Sequence, residues 1–154
     1  MIGIDAGTSM TKGVAFEESW IEEDMYDVWN SVVKCTRDVA AQVNGEIKAI
    51  GICSTGDGTW MVDEKMEPVR PGIMWCDGRA QEQVTQWHND GTAKEAFKLC
   101  GTSVFTGTQA AQLKWLEKNE PESLSRAKYV FHEKDWIFYK MTGEITTDDS
   151  DESL

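Results

Sequence analysis

The chain opens on a short apolar run, Met1 to Ile4, that ends at Asp5-Ala6-Gly7-Thr8-Ser9. A second apolar run, Gly13 to Phe16, follows almost at once, and two strands around a small Gly-containing turn are what this pattern predicts. An acidic patch, Glu17-Glu18 and Glu22-Glu23-Asp24, then gives way to helical periodicity. Met25, Trp29, Val32, Val33, Val39, Ala40 and Val43 recur at steps of three and four, with Lys34, Arg37 and Asp38 between them. Acidic residues just ahead of this run suit a helix N-terminus, and Asn44-Gly45 predicts its end. Ile47 to Cys53 is compact and β-branched, which predicts a buried strand. It delivers the chain into the loop Ser54-Thr55-Gly56-Asp57-Gly58.

Thr59 to Asp63 predicts a strand closed by a turn at Glu64-Lys65. Pro68 and Pro71 bracket a connection into another short strand, Gly72 to Trp75. Helical character returns from Arg79 through Val84 and Trp87, and again from Ala110 to Asn119 with Leu113 and Leu116 on one face. Pro121 predicts the start of a short helix. Tyr129 to Phe131 is strand-like, and Asp135 to Met141 predicts an amphipathic helix stopped by Gly143. Strand, helix, strand in this order points to an α/β layer structure. No fixed-period repeat and no linker divides the chain, so it reads as one domain or part of one.

Composition narrows the function classes. In 154 residues, 40% hydrophobic and with seven Trp and five Phe, there is material for a real core. The formal net charge of −12 and the sequence pI of about 4.5 argue against nucleic acid and membrane surfaces as partners, since both are anionic. A small anionic ligand remains compatible, because backbone N–H groups bind phosphate whatever the net charge. Cys35, Cys53, Cys76 and Cys100 are isolated from one another, which disfavours a disulfide framework or structural zinc. His88 and His132 each stand alone and read as bland structural residues. Without a basic and apolar leader, or a run approaching the ~20 apolar residues of a membrane span, the expected location is cytoplasmic.

Three segments carry candidate chemistry. Asp5-Ala6-Gly7-Thr8-Ser9-Met10-Thr11-Lys12 lies between two predicted strands and fits either a plain hairpin turn or an anion-holding nest. Glycine there lets the backbone approach a ligand, hydroxyls add donors, and Asp5 at a strand end is placed to hold Mg²⁺ through water. Thr55-Gly56-Asp57-Gly58-Thr59-Trp60 is either another turn or a crevice loop in which the Asp57 carboxylate accepts from two neighbouring hydroxyls, as a polyol would offer. In Trp75-Cys76-Asp77-Gly78-Arg79, Trp75 offers a flat apolar face to a sugar, while Asp77 and Arg79 read as a pair that fixes the loop.

Taken in order, IGIDAGTSMTKGVAF, IKAIGICSTGDGTWMVD, RPGIMWCDGRA, AAQLKWLEKNEPE and HEKDWIFYKMTGEITTD resemble the N-terminal domain of FGGY carbohydrate kinases across nearly the whole chain. The resemblance implies an α/β fold, an actin-like (ribonuclease H-like) ATPase domain, with residues 1–154 forming the N-terminal part of the first domain. It implies ATP and Mg²⁺ as cofactors, a sugar or polyol as substrate, and room for a homodimer of the full-length protein. Residue by residue, Gly7, Thr8, Ser9, Thr11 and Lys12 match the first phosphate loop, with Asp5 as the Mg²⁺-orienting carboxylate. Thr55, Gly56 and Asp57 match the substrate-hydroxyl loop, and Trp75 the aromatic position beside the sugar. Lys134-Asp135-Trp136 and Thr147-Asp148 match family segments of structural character.

The same resemblance places the family's general base, an Asp, and its adenosine-binding domain beyond Leu154, so this chain alone is expected to be inactive. It also implies a further hairpin between the second strand and the first helix, where Phe16 here runs through Glu17-Glu18-Ser19 directly towards Trp20. Losing such a hairpin would cost core area and expose sheet edges. Xylulose kinases resemble this chain with Met-His at Gly56-Asp57, and glycerol kinases with Arg-Glu. The run G-D-G-T-W is more similar to erythritol-type polyol kinases, which ranks a tetritol or pentitol first and a ketopentose such as xylulose second. Two rival classes remain: another actin-like ATPase, and a non-catalytic binding module on the same fold.

Overall fold

The structure, a computed structural model, describes the backbone of residues 2–6 and residues 20–149 in full. The predicted second strand, Gly13 to Phe16, lies outside the described residues. In chain order the elements are β1 (Ile2–Ala6), β2 (Glu22–Glu23), α1 (Met25–Ala40), β3 (Ile50–Ser54), β4 (Trp60–Val62), β5 (Gly72–Ile73), α2 (Gln81–Asp90), α3 (Thr92–Cys100), α4 (Gln109–Asn119), α5 (Pro121–Arg126), β6 (Tyr129–Phe131) and α6 (Glu133–Thr142).

Among the described residues the strands pair in three ladders. β1 and β3 are parallel, in a register running from Ile2 opposite Ile50 to Ala6 opposite Ser54. β2 pairs antiparallel with β5, and β4 antiparallel with β6. A bridge between Thr59 and Ile73 joins the β5 ladder to the start of β4, with both backbone hydrogen bonds made at 2.9 and 3.0 Å.

β4 shows how the layers arise. Successive residues of a strand point to opposite faces, and here both faces are covered. Trp60 and Val62 pack with Met25, Val28 and Val32 of α1, Phe131 of β6, and Trp136 and Ile137 of α6. Met61 packs on the other side with Val69, Ile73 and Leu116 of α4. A continuous apolar triplet is what a strand sandwiched between helical layers requires. Across the first of these layers the Trp136 indole N–H donates to the Met25 carbonyl at 2.9 Å, satisfying the one polar atom that this buried ring brings with it.

Local signals explain the helix ends. Asp24 caps α1, its carboxylate accepting from the Tyr26 and Asp27 amides at 2.8 and 3.0 Å. Gly143 closes α6 in the left-handed region, at φ 78°. Three expectations need correction. α1 ends at Ala40, ahead of the Asn44-Gly45 signal, with a turn at Ala41 and Gln42 between them. α3, between Gly91 and Gly101, was not anticipated. β3 is not buried: Ile50 is 41% exposed, and Gly51 and Cys53 are exposed too. Its composition marks it as a strand. Among the described residues its one ladder partner is β1, and α6 lies along the face that carries Ile52.

Candidate functional site

Parallel pairing of β1 with β3 sets the geometry. Both strands run the same way, so both C-terminal ends reach one edge of the ladder, Asp5 opposite Cys53 and Ala6 opposite Ser54. β1 ends at Ala6 and β3 at Ser54, where the Thr55 loop begins, so the segment after Ala6 and the Thr55 loop start from adjacent positions. Ligands favour that place in open α/β sheets. Gly7, Thr8, Ser9, Thr11 and Lys12 lie outside the described residues, as does the Asp5 side chain.

The second loop has a backbone that suits a hairpin turn, but β3 pairs with β1 and β4 with β6, so it joins two ladders and closes no hairpin. Asp57 adopts φ 45° and Gly58 φ 92°, two consecutive left-handed residues. Asp57 is nonetheless 8% exposed, a carboxylate drawn into the protein. The Gly58 amide donates to the Gly107 carbonyl at 3.0 Å, and the Gln109 side-chain amide donates to the Gly58 carbonyl at 3.3 Å and to that of Phe131 at 3.2 Å. At the loop's start, the Thr55 hydroxyl donates to the carboxylate of Glu133, the first residue of α6, which is 1% exposed.

The third motif meets the second. A Cβ at position 58 would stand 2.6 Å from the Ile73 carbonyl oxygen and 3.5 Å from the Trp75 nitrogen, so the Asp57 loop and the Trp75 turn pack backbone to backbone. Gly107 presses on the Trp75 carbonyl from the other side, where a Cβ would come within 1.8 Å. The buried Gln112 amide donates to the Met74 carbonyl at 2.9 Å. Trp75 itself keeps 41% of its surface exposed. Beside it, burial pushes the Cys76 thiol above its usual range.

Asp77 and Arg79 are a structural pair, as their sequence suggested. The Asp77 carboxylate accepts from the Ile21 amide at 2.5 Å, from the Arg79 amide and Nε at 2.8 Å each, and from Arg79 Nη2 at 2.9 Å. Arg79 also reaches Glu22 at 2.6 Å and lies 4.7 and 5.0 Å from the ring centres of Trp20 and Trp115. Burial works against its charge, but the hydrogen bonds and charges of Asp77 and Glu22 outweigh burial and hold its pKa above the ordinary value.

Lys134, Asp135 and Trp136 also do structural work. Lys134 contacts Asp135 at 2.7 Å and Asp148 at 3.1 Å, and Asp135 accepts from the His132 amide at 3.0 Å. Sequence reading missed Glu133 and Gln109. The helix was expected to begin at Asp135, and a start two residues earlier brings Glu133 to the loop.

A cavity of about 520 Å³ lies elsewhere, between β3 and α6, lined by Ile50, Ile52, Phe138, Met141 and Lys134 among others. It includes none of Thr55, Asp57 or Trp75. Among the described residues there is no cluster of three or more His, Cys, Asp or Glu that could hold a metal, and no helix long and apolar enough to cross a membrane.

Residues 16–154 match the model of the FGGY family of carbohydrate kinases, N-terminal domain. The chain belongs to that family. It is 31% identical to the erythritol kinase of Brucella abortus over 100% of its length, covering 34% of that protein. That alignment spans 176 positions, so the relative carries residues here that this chain does not. To the xylulose kinase of Escherichia coli it is 27% identical, covering 97% of this chain and 35% of the relative. In fold it matches a ligand-bound xylulose kinase from Lactobacillus acidophilus at TM-score 0.92 with 23% identity, over 99% of this chain and 35% of that one. A glycerol kinase from Plasmodium falciparum, solved with ADP, matches at TM-score 0.78 with 22% identity, over 92% of this chain and 30% of that one. The chain thus spans about a third of the length of the curated relatives it matches.

Proposed function

We propose that the protein, at the full length of its relatives, transfers the γ-phosphoryl group of ATP to a hydroxyl of a polyol or sugar. The observation that carries this is the register of β1 with β3, which starts the segment after Ala6 and the Thr55–Gly58 loop from neighbouring positions on one edge. In-line phosphoryl transfer needs donor and acceptor held together, and little covalent help from protein. Gly7, Thr8, Ser9, Thr11 and Lys12 would hold the β- and γ-phosphates, with Asp5 orienting Mg²⁺. When bound, MgATP supplies the electrophilic phosphorus and the charge-neutralising cation.

The chain's own contribution is then a shelf for the acceptor. Thr55, Gly56 and Asp57 bind its hydroxyls, Trp75 covers its carbon face, and the packed loops exclude water from one side. The general base, which typically adds 10²–10⁴-fold, is expected outside this chain. A tetritol or pentitol is the first-ranked acceptor and a ketopentose the second. The 31% identity to an erythritol kinase supports that order.

The test is coupled ADP release by the full-length protein against a panel of tetritols, pentitols and ketopentoses. Release that depends on one of these acceptors supports the reading. ATP hydrolysis indifferent to all of them would favour a non-catalytic or unrelated role for the loop.

A further inference from the structure

Resting on the kinase reading above, we infer that Gln109 and Gln112, at the start of α4, are positioning residues for the acceptor: they hold the Thr55–Gly58 loop and the Trp75 turn at a fixed separation. Residues three or four apart on a helix share a face, so this pair opens a stripe that continues into Leu116. Leu116 is fully buried against Met61, Val69 and Ile73. The stripe is therefore anchored in the core at one end and carries two side-chain amides at the other. A backbone carbonyl only accepts, so it is the amide nitrogen that faces it. Gln109 Nε2 donates to the Gly58 carbonyl at 3.3 Å and to that of Phe131 at 3.2 Å. Gln112 Nε2 donates to the Met74 carbonyl at 2.9 Å. Each loop is thus tied to α4 at the residue next to the one proposed to meet the acceptor, Asp57 in the first and Trp75 in the second.

Gln112 is not the residue that stability alone would select. Its side chain is fully buried, and its Oε1 has no hydrogen-bond partner among the described residues. An unsatisfied buried acceptor is costly, whereas an apolar group of the same shape in its place can be neutral or stabilising. The Met74 carbonyl does not need Gln112 for satisfaction, because it also accepts from the Asp77 amide at 3.1 Å. What the Gln112 bond adds is a fixed orientation of the peptide from which Trp75 departs. Gln109 does the same for the other loop. The Gly58 amide is already tied to the Gly107 carbonyl at 3.0 Å, and Gln109 holds the carbonyl of the same residue. Asp57 and Gly58 sit at φ 45° and 92°, a backbone that persists where its surroundings impose it. A loop held in advance has less freedom to lose when the acceptor binds.

The experiment uses the full-length protein with the polyol or ketose on which its ADP release depends. It measures the KM for that acceptor, the KM for ATP, and the thermal midpoint. Gln112→Met keeps the length of the side chain and removes both polar atoms. It should raise the acceptor KM about tenfold, leave the ATP KM unchanged, and not lower the midpoint. Gln109→Met should raise the acceptor KM in the same selective way. Gln109 is half-buried, so water can reach the carbonyls it leaves and the midpoint should hold there too. A merely structural role would instead lower the midpoint and move both KM values together. An acceptor KM unchanged in either variant, or an ATP KM that shifts as far as the acceptor KM, overturns the inference while leaving the kinase reading standing. If Gln112→Met does not fold, Gln109→Met decides by the same comparison. No turnover of any polyol or ketose by the wild type removes the kinase reading and this inference with it.

Discussion

Gly107 does more for the site than any side chain near it. Its backbone carbonyl receives the Gly58 amide at 3.0 Å, and its missing Cβ leaves room for the Trp75 carbonyl. Two loops that sequence could only place separately are thereby locked on one another. At 1.8 Å from the Trp75 oxygen, an added methyl cannot fit without moving backbone, and backbone here is held from both sides. Gly107→Ala should therefore destabilise the protein by about 1–3 kcal/mol, the usual range for overpacking a fitted site. Denaturant unfolding would show this as a lower midpoint at unchanged slope. An unchanged midpoint would mean that the Asp57 and Trp75 loops move apart freely. Nothing in the run around Gly107 signals this role, because what it requires is a partner backbone 32 positions earlier in the chain.

At the scale of elements, the turn between β5 and α2 behaves as a joint. Asp77 ties the chain at Ile21 to Arg79, and Arg79 passes the connection to Glu22 of β2 and to Trp115 of α4. Both side chains are fully buried, so neither can fall back on water if its partner is lost. Removing one partner of a buried pair typically costs about 3–5 kcal/mol, whereas removing both costs much less. Asp77→Ala and Arg79→Met should each be strongly destabilising, and the double variant should lose clearly less than the sum of the two. Additive losses in the double-mutant cycle would show that the two residues act independently.

Sequence reading found this pair because both partners sit two residues apart in one turn. It found β4, β5, β6, α2, α4 and α5 because each carries its own periodic or turn signal. It passed over α3, although Gly91 and Gly101 frame a nine-residue run there and both are left-handed caps. Phe97 and Leu99 on that helix are exposed, so the apolar stripe that flags a helix has little to pack on. β3 shows the opposite failure. Its composition gives the strand, but which faces are covered depends on elements distant in sequence, and the pattern within Ile50–Ser54 does not carry that. Glu133 was missed for a related reason: its significance lies in reaching Thr55, 78 positions away.

For the chain as a whole, charge is the feature that secondary structure does not explain. Twenty-seven acidic residues face fifteen basic ones, a net −12. Four ion pairs, Lys34–Asp38, Lys98–Glu95, Lys114–Glu117 and Lys118–Glu82, lie on the surface with more than half of each side chain exposed. Exposed pairs of this kind contribute about 0–1 kcal/mol each, and salt removes part of that. Salt also screens the repulsion among the surplus carboxylates, which acts on the compact state more than on the extended chain. The two effects oppose one another, and the surplus decides. Every ion pair already counts as neutral in the net −12, so the charge that salt screens is mainly the carboxylate surplus. The buried Asp77–Arg79 pair lies out of reach of mobile ions and changes little. Raising ionic strength from a low-salt buffer to about 0.15 M, where the screening length falls to about 8 Å, should therefore raise the thermal midpoint at pH 7. A midpoint that falls instead would mean that the surface pairs, weak one by one, act as a network. Lowering pH towards the isoelectric point of about 4.5 should remove this salt dependence, because protonating the surplus carboxylates removes the repulsion that salt would screen.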